Sequence, residues 1–300
     1  MDSTKRRRWF RVLALSAAVL LPTPASAHPG SGIAVDRLGQ IYFVDMVSGI
    51  WKIDVHGALT HIPGPGFHWM TLDAGDRFSG ARLPSGSGGE VARIGADPTV
   101  ILASSYPVVM GRDGNLYFPS HVVGAPIQML KMLPSGQTSI VTNLPATTAG
   151  RPIRDLNGLA AGPDGSLYYT ESNAIRRISK EGRVSTVAQN ISPATCGSVP
   201  GMGPADRPLL RGLDVDASGT AYIAATGCGS VLRVTPDGRV SILFQNEGPW
   251  SPTGIALLGN DVYVLEFLGT ASDNRSEMVP RIRKIAPNGT TTIIATVTRR

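Results

Sequence analysis

Several signatures of common functions are missing from this sequence of 300 residues. After residue 27, no apolar run approaches the length of about 20 residues that a membrane-spanning helix needs. No serine or cysteine stands in a spacing typical of a catalytic triad, and no glycine-rich phosphate-binding loop is present. The sequence therefore gives no support to a membrane-spanning protein, a triad hydrolase or a P-loop enzyme.

Residues 1–27 have the pattern of an export signal rather than of a folded segment. Lys5-Arg6-Arg7-Arg8 is a basic start, residues 12–21 are apolar, and Ala25-Ser26-Ala27 is a small-residue cleavage site. We therefore expect an exported protein, either periplasmic or extracellular, with no membrane span after cleavage. Arg7-Arg8-Trp9-Phe10 partly matches a twin-arginine signal, so both export routes remain open.

Removal of the signal changes what the charge implies. The full chain has 28 basic and 22 acidic residues, a net charge of +6. The signal holds five of the basic residues and one of the acidic ones, so the mature chain is left with a net charge of about +2. A nearly neutral domain is not expected to bind nucleic acid.

The remaining chain is organised by one repeated pattern, clearest over residues 155–189. Four short apolar runs are separated there by Pro163-Asp164-Gly165, Glu171-Ser172-Asn173 and Lys180-Glu181-Gly182. Short runs between such turns predict antiparallel hairpins. The pattern recurs with a period of about 40–50 residues, which is typical of a β-propeller.

We predict an all-β fold, a six-bladed β-propeller of four-stranded antiparallel blades that forms one domain over residues 28–300. The second blade fits the repeat least well, because its first half has drifted. The predicted blades are residues 31–64, 66–104, 106–145, 154–190, 209–247 and 251–298.

The loops of a propeller divide between its two faces. The tight Asp-Gly turns belong to one face, whereas the long connections belong to the other. Long loops on a rigid scaffold commonly carry function. Both cysteines, Cys196 and Cys228, fall on this loop-rich face, and an exported protein meets an oxidising environment, so we predict a disulfide between them.

The candidate site residues lie at the mouth of the central channel on the loop-rich face. One set stands just before the leading glycine of each blade or its equivalent. A second set ends the second strand of several blades. The first set is Ser31, His68, Tyr106, Asn157, Arg211 and Thr253, and the second is Asp45, Ser120, Glu171 and Glu266, with His121 beside it.

These residues support more than one role. Asn157, Glu171 and Glu266 could hold a divalent metal, either Ca²⁺ or, with nitrogen ligands, Zn²⁺. Because an acid recurs at the end of the second strand in three blades, a structural bond to loop amides is the alternative, above all for Asp45. Arg211 could hold an anionic ligand or pair with a carboxylate such as Glu171, and we expect the pair.

The sequence resembles the NHL-repeat propellers and the related senescence-marker-protein/gluconolactonase superfamily. The resemblance rests on Gly-Leu-Ala-x-x-x-Asp-Gly-x-Leu-Tyr-x-x-Glu over residues 158–171 and Ile-Arg-Lys-Ile-x-Pro-Asn-Gly over residues 282–289. It implies a divalent metal at the channel, since lactonases of that superfamily bind one through Glu, Asn and Asp residues. Asn157 matches one such Asn, whereas Arg211 and Ser31 stand where acidic ligands are expected.

Two functions follow as hypotheses. The first, which we favour, is an exported, monomeric propeller that binds a small molecule, a glycan or a protein through its loop-rich face. His68, Tyr106, Asn157, Arg211 and Thr253 are its predicted ligand-binding residues. The alternative is a divalent-metal-dependent hydrolase or lyase of the gluconolactonase type, with its site at the channel mouth.

Overall fold

The computed structural model describes residues 29–82, 90–95, 97–120, 126–145, 156–192, 208–269 and 277–298. They form six antiparallel sheets arranged as the blades of a propeller, which confirms the predicted fold. No helix in these ranges is long and apolar enough to cross a membrane. The predicted signal peptide lies outside the described residues, so export stays a prediction.

The strands follow one another around the ring in chain order. Blade one has β1 (Ile33–Val35), β2 (Ile41–Asp45), β3 (Gly49–Ile53) and β4 (Leu59–Pro63); blade two β5 (Trp69–Asp73), β6 (Val91–Ile94) and β7 (Thr99–Ala103); blade three β8 (Val109–Met110), β9 (Leu116–Ser120), β10 (Gln128–Met132) and β11 (Thr138–Asn143); blade four β12 (Leu156–Ala161), β13 (Leu167–Glu171), β14 (Ala174–Ile178) and β15 (Val184–Ala188); blade five β16 (Leu210–Val215), β17 (Ala221–Ala225), β18 (Ser230–Val234) and β19 (Val240–Gln245); blade six β20 (Trp250–Leu258), β21 (Asp261–Leu268), β22 (Pro280–Ile285) and β23 (Thr291–Thr296).

The second blade differs from the other five. In its described residues the sheet has three strands in the order β5-β7-β6, so the last strand in the chain lies in the middle. After β5 the chain makes a turn instead of a hairpin, because the buried carboxylate of Asp73 accepts a hydrogen bond from the amide of Phe78 at 2.9 Å. This is the stretch in which the sequence repeat had drifted.

A set of three side chains recurs around a lysine on the third strand of two blades. In blade three, Lys131 forms an ion pair with the turn residue Asp113 at 2.8 Å and lies over the ring of Tyr117, whose hydroxyl also donates to Asp113. Blade six repeats this arrangement with Lys284, Asp261 and Tyr263. Local bonds thus stabilise the tight turns of these two blades.

The hydrophobic core lies between neighbouring blades. The second strand of blade one, β2, is buried along its whole length, because its two faces pack against different neighbours. One cluster joins side chains of blades one, two and six, among them Phe43, Leu102 and Leu265. Burial of a strand on both faces is what packing between two neighbouring blades produces.

The ring closes by packing of blade six against blade one. Each of these blades contains its own four strands, so no strand is exchanged at the closure. A Cβ atom added to Gly254 would lie 2.3 Å from the carbonyl oxygen of Ser31, which is closer than any real contact. Only glycine therefore allows β20 to approach β1 this closely.

Candidate ligand site at the channel mouth

The central channel is lined by the inner strand of each blade: β1, β5, β8, β12, β16 and β20. We call the end at which these strands begin the channel mouth. Because the strands are antiparallel, the connections between blades reach the same end, which is therefore the loop-rich face.

A β-bulge interrupts the inner strand of blades four, five and six at the same place. In β12, Leu156 opposes Glu171 and Gly158 opposes Thr170, which leaves Asn157 as the extra residue. Register shifts at the equivalent place in β16 and β20 involve Arg211 and Thr253. A bulge redirects a side chain without ending the strand pairing. Three of the predicted mouth residues are therefore set apart from the regular ladder.

The guanidinium of Arg211 extends across the mouth from blade five to blade one. Its Nη1 donates to the carbonyl oxygen of Pro29 at 3.1 Å. Its Nε is buried and has no hydrogen-bond partner in the described part of the chain. Burial lowers the pKa of the Arg211 guanidinium to about 10, since an isolated cation loses hydration there.

The expected pair between Arg211 and Glu171 is wrong. Glu171 accepts instead from Nε of Arg176 at 3.1 Å, because the two side chains lie on neighbouring strands of blade four. Among the described residues, no carboxylate is within ion-pair distance of Arg211. Of the two roles predicted for Arg211, the binding of an anionic ligand is the one that this geometry does not contradict.

Trp69 contributes an aromatic wall that the sequence reading missed. Its indole Nε1 donates to the carbonyl oxygen of Asn157 at 3.4 Å, so the side chain runs from blade two past blade three to blade four. It is nearly fully buried, at 7% exposure. Trp69 occupies the position of the leading glycine in the repeat, and this replacement of glycine by the largest side chain is the signal that could have identified it.

His68 and Tyr106 lie beside this indole. The imidazole of His68 packs edge-on against Trp69, with ring centroids 5.5 Å apart, and its Nδ1 contacts the carbonyl oxygen of Ser104. A carbonyl can only accept, so Nδ1 carries the proton. Tyr106 is buried and packs on Phe118, and burial raises the pKa of its hydroxyl to about 12. Both residues supply polar groups near the mouth.

Two other predicted mouth residues are also buried. Thr253 is fully buried, and its hydroxyl donates to the carbonyl oxygen of Leu265. Ser31 is also buried, and its hydroxyl has no hydrogen-bond partner in the described ranges. Thr253 is therefore not open to a ligand at the mouth, against its predicted role, whereas Ser31 has hydrogen-bonding capacity left.

The acidic residues at the ends of the second strands make structural bonds. Asp45 accepts from the amide of Val47 and the hydroxyl of Ser48, which agrees with the structural alternative for this residue. Glu266 is fully buried and accepts from Nε of Arg281 at 2.5 Å and Nε of Arg283 at 3.0 Å. Its Oε1 also accepts from the side-chain amide of Asn246.

The predicted metal ligands do not fit a metal well. The Glu171 and Glu266 carboxylates are each already neutralised by arginine, which competes with a cation for the same oxygens. In the described ranges, no three residues of the His, Cys, Asp and Glu types are close enough together to hold a metal ion. The metal site stays a prediction.

A second feature of the channel lies farther from the mouth. A cavity of about 290 Å³ is bounded by residues of all six inner strands, and Asp214 of β16 supplies a carboxylate to it. Burial raises the pKa of Asp214 to about 6, although two backbone amides and the charge of Arg112 act in the opposite direction. Its Oδ2 accepts from the amide of Leu257 at 2.9 Å, and its Oδ1 from the amide of Val215 at 2.8 Å.

Two further predictions involve residues beyond the described ranges. Cys228 is buried in the short 3₁₀ turn Thr226–Cys228, on the predicted face, but Cys196 lies outside the described residues. The disulfide therefore stays a prediction. His121 also lies outside them, whereas Ser120 ends β9 opposite Gln128.

No protein-family model and no curated protein matches the chain. Solved structures do. A luciferin-regenerating enzyme is 15% identical with a TM-score of 0.55, over 86% of this chain and 91% of its own. Virginiamycin B lyase from Staphylococcus aureus is 16% identical with a TM-score of 0.51, over 91% and 85%. The calcium-binding protein regucalcin from Agrobacterium tumefaciens is 15% identical with a TM-score of 0.51, over 79% and 81%.

Identities this low establish the fold and no more. The six-bladed propeller fold that the predicted resemblance implied is confirmed at that level, since regucalcin is among the similar structures. The NHL-repeat assignment stays a prediction.

Proposed function

We propose that this chain is an exported, monomeric binding propeller that holds a small anionic molecule, such as a carboxylate, at its channel mouth. The observation that carries the proposal is the unpaired guanidinium of Arg211. Its charge is buried at the opening of the channel, it has a donor without an acceptor, and no carboxylate of the described chain neutralises it.

The chemistry of arginine fits this role. A guanidinium presents several donors in one plane, and a carboxylate can accept two of them side by side. The Pro29 carbonyl uses one donor and orients the group. The neighbouring Ser31 hydroxyl and the aromatic wall of Trp69 could add a hydrogen bond and a flat apolar surface. A rigid, partly apolar pocket with a few polar groups is typical of small-molecule sites.

Replacement of Arg211 by methionine tests the proposal. We expect Arg211→Met to weaken the binding of octanoate, used as a simple carboxylate probe, by about tenfold or more, because a charge-assisted hydrogen bond is lost. We also expect the free protein to become more stable by about 1–2 kcal/mol, because a buried donor without an acceptor is removed. Calorimetric titration and urea unfolding measure the two effects.

Arg233→Met is the matched control, since Arg233 is on the same blade but exposed on β18. It should change neither measurement appreciably. If Arg211→Met bound octanoate as well as the parent chain does, the ligand role of Arg211 would be wrong. A loss of stability without a loss of binding would instead assign Arg211 a structural role.

Metal analysis distinguishes this proposal from the alternative, a divalent-metal hydrolase or lyase. Because arginines already occupy Glu171 and Glu266, we expect the purified mature protein to hold less than one equivalent of Ca²⁺ or Zn²⁺ and to melt at the same temperature with and without a chelator. Mass spectrometry of the metal content and a thermal melt provide both values. A stoichiometric ion whose removal lowers the melting temperature would favour the enzyme and contradict this expectation.

A further inference from the structure

Asp214 places a carboxylate inside the channel, where the charge of Arg112 acts on it without forming an ion pair. The carboxylate lines the cavity shared by the six inner strands. No Lys or Arg of the described chain is within ion-pair distance of it. An ionised carboxylate has about four acceptor positions, and two are used by the amides of Val215 and Leu257. Acceptor capacity therefore remains on this carboxylate.

The fold itself does not require an acid at this position. Asp214 is the second residue after the leading glycine of blade five, and the same place is taken by Ala34, Ala160 and Ala256 in three other blades. Those inner strands form without a carboxylate. The hydrogen bond to Leu257 stabilises the contact between blades five and six, but three blades do without its counterpart.

Asp214 and Arg211 lie on the same side of the same strand. The bulge in β16 places Arg211 and Gly212 together opposite Ala224, and Asp214 opposes Tyr222, two residues away on β17. Side chains two positions apart on a strand share a face. Three residues of extended chain separate the two Cα atoms by about 10 Å. The channel therefore contains an unpaired cation at its mouth and an unpaired anion deeper inside.

From this arrangement we infer that the ligand of the channel mouth also carries an ammonium group, which binds to Asp214 in the cavity. This inference rests on the proposed function, because Arg211 would hold the other end of the same molecule. The predicted ligand class is an elongated zwitterion, because the two residues lie about 10 Å apart along the backbone. Leu213, Leu159 and Ile255 also border this cavity, from three different inner strands.

The test compares ω-aminooctanoate, octanoate and the short ω-aminobutanoate by calorimetric titration at about pH 8, where both Asp214 and the amine are charged. We expect ω-aminooctanoate to bind about tenfold more tightly than octanoate, because it adds a charge-assisted hydrogen bond. ω-Aminobutanoate is too short to reach both charges and should lose this advantage.

The variant Asp214→Asn keeps an oxygen that can accept from Leu257 but removes the charge. It should lower the affinity for ω-aminooctanoate to that for octanoate and leave the affinity for octanoate unchanged. Asp164→Asn, which alters a turn carboxylate outside the channel, should not change the affinity for either probe. Arg211→Met should weaken both probes, and this result separates the two proposals.

The outcomes divide as follows. If octanoate binds through Arg211 but ω-aminooctanoate gains nothing over it, the ammonium site is wrong and the proposed function stands. If neither probe depends on Arg211, the proposed function is wrong as well. If the advantage of ω-aminooctanoate survives Asp214→Asn in a variant that melts like the parent chain, another group binds the amine and the assignment of Asp214 is overturned.

Discussion

Gly254→Ala is expected to destabilise the protein by about 3 kcal/mol, the upper part of the usual range for overpacking a tight contact. The added methyl group would lie 2.3 Å from the carbonyl oxygen of Ser31 and 2.9 Å from Cγ2 of Ile33. The carbonyl belongs to the backbone of blade one and cannot rotate away. The two blades must therefore separate at the place where the ring closes. Urea unfolding followed by circular dichroism measures the loss.

Gly248→Ala provides a matched control at the loop just before β20. A Cβ atom there would meet nothing within 4 Å, and its backbone is not in the left-handed region. Its stability should be unchanged or rise by up to about 1 kcal/mol, because alanine has less freedom in the unfolded chain. Equal unfolding midpoints for the two variants would show that the closure tolerates a side chain, against the packing described above.

The second large effect concerns Glu266. We expect Glu266→Gln to lower the free energy of unfolding by about 3–5 kcal/mol, as is typical when one partner of a buried ion pair is removed. The carboxylate is fully buried and counters the charges of Arg281 and Arg283, which stack on Trp250 and Phe244. Glutamine keeps the shape but leaves two arginines without their counterion. Urea unfolding again provides the measurement.

Glu171→Gln is the same change at the equivalent place in blade four. There the carboxylate is 15% exposed and its partner Arg176 is 30% exposed, so solvent screens the pair. The expected loss is about 1 kcal/mol or less. If Glu266→Gln cost no more than Glu171→Gln, the buried cluster would not contribute to stability as its geometry implies.

The sequence predicted the scaffold well because propeller blades are local structures. Turn residues such as Gly165, with its positive φ of 80°, mark hairpins that form between adjacent segments. Strands that are apolar on both faces, such as β2, indicate packing between two neighbours. Blade two departs from the pattern because the carboxylate of Asp73 organises a turn there, and no periodicity reveals that bond.

The candidate site was harder to predict because it depends on contacts between distant segments. The repeat predicted which residues lie at the mouth, but it did not predict their partners. Glu171 pairs with Arg176 of the neighbouring strand rather than with Arg211. Asp214 and Trp69 were missed even though each breaks the repeat. Asp214 replaces an alanine of other blades and Trp69 replaces a glycine. Comparison of the blades position by position would have identified both.

The bulges in blades four, five and six have a consequence for how such a protein could change its ligand. Asn157, Arg211 and Thr253 are extra residues, which the regular strand ladder does not need for its pairing. Substitutions that suit other ligands can therefore arise at Asn157 and Arg211, which unlike Thr253 are not fully buried, while the ring stays folded. The mouth is in this sense a set of exchangeable positions on a fixed frame, suited to divergence in evolution and to redesign in the laboratory.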